Sequence, residues 1–395
     1  MTRFAPLALA LLVALAGCSR SDTAPTAPAA AQAPAVSAAD AKFADLSARW
    51  LDGAMRLSPV FATQTGDHRF DAELDDYSAE GRAKSLAFSK GLLAELERID
   101  RAGLSRENQV DASVLRNQLR YDIWSIEKLQ GWAWDPMIYS QAAGGALYTL
   151  MARDFAPMPD RMRNAILRME KLPTLFAQMR ANLDPARVPL IHAQTVAKQN
   201  RGVLSLVDEL ILPNASQLAE DERKHLDRAV AALRTAVDEH QAWLDDTLVP
   251  QAKGDFRIGQ ALYDEKLAFA LDSPMTRAEI RSRAEAEITA VRAQMYDIAR
   301  GVLAGRADAP QAPDAPSAEQ QQAAIQAALE LAYADRPTRD KVVETAKTTL
   351  AAATEFVRAK DLITLPDAPV QVILMPEFQR GVAVAYCDSP GPLDK

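Results

Sequence analysis

Four histidines and two cysteines in 395 residues leave little room for metal or thiol chemistry. The histidines are His68, His192, His225 and His240, and none belongs to a His-Glu-x-x-His stretch, the spacing that sets two imidazoles and a general base on one helical face. His225 and His240 fall on one predicted helix but are separated by roughly 22 Å along its axis at 1.5 Å per residue, too far to share an ion. There is no Gly-x-Ser-x-Gly elbow, no phosphate-cradling glycine loop and no dinucleotide fingerprint, which sets aside nucleophile-elbow hydrolysis and nucleotide chemistry. Charge of one sign is not gathered anywhere: the net charge is −8, with acids and bases interspersed, so no basic stripe tracks phosphates and nucleic acid is not an expected partner. No apolar run is long enough to cross a bilayer as an ordinary helix.

What is present begins at the N-terminus. Arg3 precedes an apolar stretch from Phe4 to Ala16, which ends in Leu15-Ala16-Gly17-Cys18. Small residues before a cysteine resemble the lipobox of bacterial lipoproteins, whose cysteine sulfur takes a diacylglycerol before cleavage; an ordinary secretory leader that contains a cysteine is the alternative. Lipidation at Cys18 removes residues 1–17 and leaves 44 basic residues against 53 acidic ones. Each buried methylene contributes roughly 0.8 kcal/mol to partition, so several acyl chains hold the chain on a membrane. Ser19, in place of an aspartate, points to the outer rather than the inner membrane of a cell envelope, with the body facing the periplasm. Cys387 is then the sole thiol, which excludes an intramolecular disulfide, and reads as a bland near-terminal cysteine rather than a nucleophile.

Residues 18–40, rich in Ala, Pro, Ser and Thr, read as a disordered tether. From about 41 to 365 apolar residues recur at three- and four-residue spacing, beginning with Phe43, Leu46, Trp50, Ala54 and Leu57 behind a capping box at Ser37. Helices are expected over 85–99, 107–129, 160–171, 173–184, 192–212, 216–248, 275–304, 317–333 and 337–360. Pro59 to Ser78 reads as a loop, Trp132 to Gly145 as an aromatic turn, and Gly305 to Ser317 as a proline-bearing loop. No fixed-period repeat is present, so the expected fold is mainly α, an irregular multi-helix array. The character changes at 366–395, where Val370–Met375 and Val382–Tyr386 are β-branched runs that predict a short β-strand segment at the C-terminal end.

Two places could line a cleft. Thr65-Gly-Asp-His-Arg-Phe-Asp71 groups Asp67, His68 and Arg69, where the arginine could orient a substrate carboxylate; a solvated acidic loop capping the next helix accounts for it more simply. Tyr263, in Phe256-Arg-Ile-Gly-Gln-Ala-Leu-Tyr263, could face a pocket, although a structural glycine with a packed tyrosine is the simpler account.

Four stretches taken in order, Pro59 to His68, Trp134 to Ser140, Phe256 to Leu267 and above all Met375-Pro-Glu-Phe-Gln-Arg-Gly-Val-Ala-Val-Ala-Tyr386, resemble the bacterial family catalogued as domain of unknown function 885. Tyr386, which closes the last stretch, joins the cleft candidates. The resemblance implies a helical, often lipid-anchored envelope protein similar to zinc metallopeptidases, in which the segment like Met375–Tyr386 precedes a His-Glu-x-x-Pro-Gly-His helix. This chain reaches Lys395 without that motif, so the resemblance carries over no catalytic residue and no metal ligand. The expectation is an N-terminal helical portion, truncated before its zinc site and without a cofactor of its own, whose parent reaction is metal-assisted peptide or amide hydrolysis. The alternative is a non-catalytic periplasmic peptide-binding or scaffold lipoprotein.

Overall fold

The computed structural model describes residues 37–394. The leader, Cys18 and most of the tether lie outside that range. The described chain is built from helices, 73% of it helical.

The first core joins α1 (Ala38–Leu57), α3 (Ala79–Leu96) and α4 (Arg106–Trp124). Each starts at a serine whose hydroxyl accepts a backbone N–H of the first turn, at Ser37, Ser78 and Ser105, so the orphan donors of the helix start are satisfied locally. Phe43, Leu46, Leu92, Leu96, Leu115 and Leu119 close this core. Between α1 and α3 lies α2 (Pro59–Thr65), which has proline at its start and ends at Gly66 with φ 96°.

The central core packs α5 (Met137–Met151), α6 (Met158–Asn182), α7 (Leu190–Gln199), α8 (Gly202–Leu206) and α9 (Glu220–Trp243), with a single turn α10 (Val249–Gln251) after it. Then come α11 (Gln260–Leu271), α12 (Arg277–Leu303), α13 (Ala318–Ala334) and α14 (Val342–Lys360). Tyr296, Ala299 and Leu303 of α12 meet Ala324 and Ile325 of α13 in a third, small core, whereas α14 contains no fully buried residue.

Several sequence expectations need correction. Trp132–Gly145 is not a turn throughout: only Gly131–Ala133 is a short 3-10 turn, and α5 runs from Met137 as the most buried helix of the chain. Its small residues Ala142, Ala143, Gly144 and Ala146 obscured the helical period because nearly every side of α5 is covered. The two helices expected on either side of Pro173 are one, since α6 continues through that proline. The Pro59–Ser78 loop contains α2 and a 3-10 turn, His68–Phe70.

The strand-like C-terminal segment is the largest correction. Among the described residues there is no strand, and Arg380 and Ala383 form only an isolated bridge. β-branched residues supply propensity but not a partner, and an extended run without a neighbour makes no ladder. Residues 361–394 instead run as an irregular strap with one 3-10 turn at Glu377–Gln379.

Candidate functional site

The strap's destination is the polar segment after α2. Gly66 in the left-handed region reverses the chain, and the amide of Asp67 donates to the Ala62 carbonyl at 2.9 Å. This folds Asp71 back onto α2, where its Oδ1 accepts the Thr63 hydroxyl at 2.6 Å. His68 is placed beside both. Its Nδ1 lies 3.0 Å from Asp71 Oδ2, its Nε2 lies 3.1 Å from Asp394 Oδ1, and its ring stacks on Phe155 with centroids 3.7 Å apart. Each ring nitrogen thus faces a carboxylate oxygen.

Asp394 is held from three directions. Arg153 Nη1 donates to its Oδ2 at 2.7 Å, the Gly391 amide donates to the same oxygen at 2.7 Å, and His68 takes the other oxygen. Burial works against ionisation of this carboxyl, but the His68 hydrogen bond, the Gly391 amide and the charge of Arg153 together hold it below the ordinary range. The Leu393 amide adds a bond to the Thr65 carbonyl at 2.9 Å. The strap end is thus clasped to the α2 turn.

Beneath the clasp lies Arg168, fully buried on α6. Its Nη2 donates to Thr63 Oγ1 at 2.7 Å, its Nη1 to the Ala146 carbonyl at 2.9 Å and its Nε to the Glu73 carbonyl at 2.9 Å. Burial draws its pKa down to about 10, opposed by Asp71, Asp75 and Glu73. Asp75 is the reciprocal case: burial pushes its carboxyl up to about 6 against the pull of Arg168, and its Oδ1 is inaccessible and without a hydrogen-bond partner.

Upstream, the strap inserts Phe378, 1% exposed, into a slot between α5 and α8. Gly144 and Gly202 form the slot, because a Cβ on Gly144 would overlap the Phe378 ring and one on Gly202 would overlap the Phe378 backbone nitrogen. On either side of the phenylalanine, Ser205 donates to Glu377 Oε2 at 2.7 Å and Gln199 Nε2 to the Arg380 carbonyl at 2.7 Å.

Of the residues singled out from sequence, His68 alone joins the clasp. Asp67 and Arg69 pair with each other, Nη2 to Oδ2 at 2.6 Å, and Arg69 also reaches Asp52 at 2.6 Å. That arginine holds the Asp67 carboxyl below its usual range, and its fork is occupied by the chain's own carboxylates, not presented to a ligand. Tyr263, on α11, is half exposed and makes no hydrogen bond or aromatic pair with the clasp among the described residues. Tyr386 lies with Asp388 beside Tyr148; burial first, then these two groups, push the Tyr148 phenol up. Cys387 is a free, exposed thiol.

The sequence reading missed Arg153, Arg168 and Asp394. A signal for Arg168 existed: Ala165, Arg168, Leu172, Leu175 and Met179 form one buried stripe of α6, so a charged residue interrupts an otherwise apolar face. For Asp394 nothing in the sequence could have served, since its partner His68 is 326 positions away.

The remaining histidines are also engaged. His240 is stacked between Phe176 and Trp243, with Arg180 3.2 Å from its Nδ1, and burial with that cation draws it down to about 3. His225 faces Glu170 at 2.7 Å, and His192 lies over Trp134 with its buried Nδ1 3.4 Å from Asp135 but making no hydrogen bond. Among the described residues no three His, Cys, Asp or Glu side chains converge as a metal site. A cavity of about 630 Å³ opens at the α11–α12 turn, lined by Asp264, Leu267, Met275, Arg277 and Arg281. No helix among the described residues is long and apolar enough to cross a membrane.

The family described as a bacterial protein of unknown function, DUF885, matches residues 59–395, and the chain belongs to it. Among solved structures the chain is similar to a candidate lipoprotein of unknown function from Shewanella oneidensis. The two share 27% identity with a TM-score of 0.63, over 82% of this chain and 59% of the other. The chain thus spans about three-fifths of that relative's length. No curated protein matches.

Proposed function

We propose that this chain is the helical frame of a lipid-anchored envelope protein, and that the reaction it frames is metal-assisted hydrolysis of peptide or amide bonds by residues other than those described. The membrane reading rests on the lipobox-like Leu15–Cys18 and on likeness to a candidate lipoprotein; the anchor is the lipid on Cys18, with the body facing the periplasm and the outer membrane as its site.

One observation carries the frame reading. The stretch most like the family, Met375–Tyr386, is held by a buried phenylalanine at its start and, through the segment that follows it, by the His68–Asp394–Arg153 clasp. In the zinc-peptidase-like pattern that this stretch resembles, the metal helix follows it. A frame that seats the strap would therefore seat the helix. Among the described residues no three His, Cys, Asp or Glu side chains are grouped as a metal site, and no catalytic step is assigned to them.

The test is metal analysis and peptidase assay of the purified 395-residue chain. Expected are no stoichiometric zinc and no chelator-sensitive hydrolysis. Tight one-to-one zinc with turnover lost on chelation would overturn the proposal. The open groove at the α11–α12 turn favours a second reading, a non-catalytic peptide-binding or scaffold lipoprotein, because its lining mixes apolar residues with the Asp264–Arg277 pair. Saturable peptide binding without turnover, lost on Leu267→Arg, would select that reading.

A further inference from the structure

Two parts of the chain are fastened to the helical body, and the α12–α13 hairpin between them is not. On the near side α11 lies on α4. Trp124 Nε1 and Lys128 Nζ donate to Glu265 Oε2 at 2.6 and 2.8 Å, Asn117 Nδ2 donates to the Phe269 carbonyl at 2.9 Å, and the Phe269 ring packs against Tyr121 and Trp124. On the far side Phe378 is seated between α5 and α8. Among the described residues no hydrogen bond, ion pair or aromatic pair joins residues 273–375 to residues 37–258.

The hairpin has a frame of its own. Its core of Tyr296, Ala299, Leu303, Ala324 and Ile325 is separate from the other two, Tyr296 donates to the Pro313 carbonyl at 2.8 Å, and Arg292 Nη2 donates to Gln322 Oε1 at 2.5 Å. It joins α11 through residues 272–275. Asp272 ends α11 in the left-handed region at φ 44°, and Pro274, which has no N–H, keeps α11 from running on into α12. One side-chain interaction spans this turn, Arg277 with Asp264, and the two are 42 and 45% exposed. A pair so exposed shifts an equilibrium by about fivefold at most. At the other end Asp361 again turns left-handed, at φ 50°, and the irregular run 361–376 reaches the Phe378 slot with Leu362, Val370 and Leu374 exposed. Slack there lets the hairpin move while Phe378 stays seated.

We propose that the α12–α13 hairpin is a hinged arm, turning as a rigid unit about residues 272–275 against the fixed body, with the Arg277–Asp264 pair as its latch. α12 is roughly 40 Å long at 1.5 Å per residue, so about 10° of rotation carries its far end roughly 7 Å. The groove at the turn takes Asp264 and Leu267 from α11 and Arg277 and Arg281 from α12, so the same rotation sets its width.

The test measures distances between paired spin labels by double electron–electron resonance, on the full 395-residue chain carrying Cys18→Ser and Cys387→Ser. Val114→Cys with Val302→Cys spans body and arm; Val114→Cys with Ile191→Cys lies within the body, and Val302→Cys with Glu330→Cys within the arm, all at exposed positions. The body-to-arm distribution should be at least about twice as broad as either control, with the latched distance as one component. Asp264→Asn should lower the latched fraction about two- to fivefold and leave both controls unchanged. A body-to-arm distribution as narrow as the controls overturns the proposal. So does a latched fraction indifferent to Asp264→Asn, which would place the motion outside this turn, or a broad distribution within the arm, which would show that the hairpin is not a rigid unit.

Discussion

Gly202→Ala should release the strap while leaving the helical body folded. Gly202 begins α8 at the point where the Phe378 backbone crosses it, and a methyl there would overlap the Phe378 nitrogen and the Glu377 carbonyl carbon. The obstacle is backbone, not the movable end of a side chain, so relief requires displacement of residues 377 and 378. That withdraws a phenylalanine that is 1% exposed and strains the Ser205–Glu377 and Gln199–Arg380 hydrogen bonds, 2.7 Å each. Loss of a buried phenylalanine costs about 3–5 kcal/mol, and each hydrogen bond contributes about 1 kcal/mol. The strap can undock without unfolding the core, so the cost is capped at its docking free energy. Amide exchange across residues 376–394 should therefore rise on the order of a hundredfold or more, at about 1.4 kcal/mol per factor of ten. The exchange of α5, α6 and α9 should change little. Gly301→Ala, in α12 with no atom within 4 Å of the new methyl, is the control and should stabilise by about 0.5–1 kcal/mol. The slot reasoning is refuted if Gly202→Ala keeps strap exchange within threefold of the parent.

Arg168→Met should destabilise by about 3–5 kcal/mol in urea unfolding, because it strips the cation from Asp71 and Asp75 and orphans the carbonyls of Glu73 and Ala146; a loss below about 1 kcal/mol would show that the buried network is dispensable. Asp75→Asn should stabilise at pH 7. The folded-state pKa of about 6 means that at neutral pH the native fold carries a disfavoured charge, and that stability contributed by the protonated carboxyl is lost as pH rises through 6. The gain should be on the order of 1–3 kcal/mol at pH 7 and fade by pH 4, and a pH-independent effect would contradict it. His240 acts in the opposite direction. It stays neutral in the fold down to about pH 3, whereas the unfolded chain binds a proton below its ordinary 6.5, so stability should fall by a few kcal/mol as pH drops through that window. His240→Phe should flatten that slope of urea midpoint against pH.

Helix was legible where it is one-sided. α1 shows its capping serine and its apolar period openly, and the Gly305–Ser317 loop announces itself by its prolines. Period fails where all sides are buried, as in α5, because no polar face remains to define a phase. At Val370–Met375 the residue types indicated strand, yet among the described residues no neighbouring strand pairs with them, and propensity alone makes no ladder. His68 drew attention as an unusual polar residue, but its meaning was open. As a surface group it could have met a ligand; stacked on Phe155 between Asp71 and Asp394, it is an internal fastening.

The sequence alone determined the helical class, the lipobox-like leader and the family resemblance, since these depend on local spacing and on short ordered motifs. The tertiary structure decided which polar residues face one another. Phe378 finds its slot only because two glycines, distant in sequence, meet at the α5–α8 crossing, and Asp394 finds His68 only because the strap returns to the α2 turn. Contacts between residues hundreds of positions apart leave no period and no spacing in the chain, and arise from the summed packing of every helix between them.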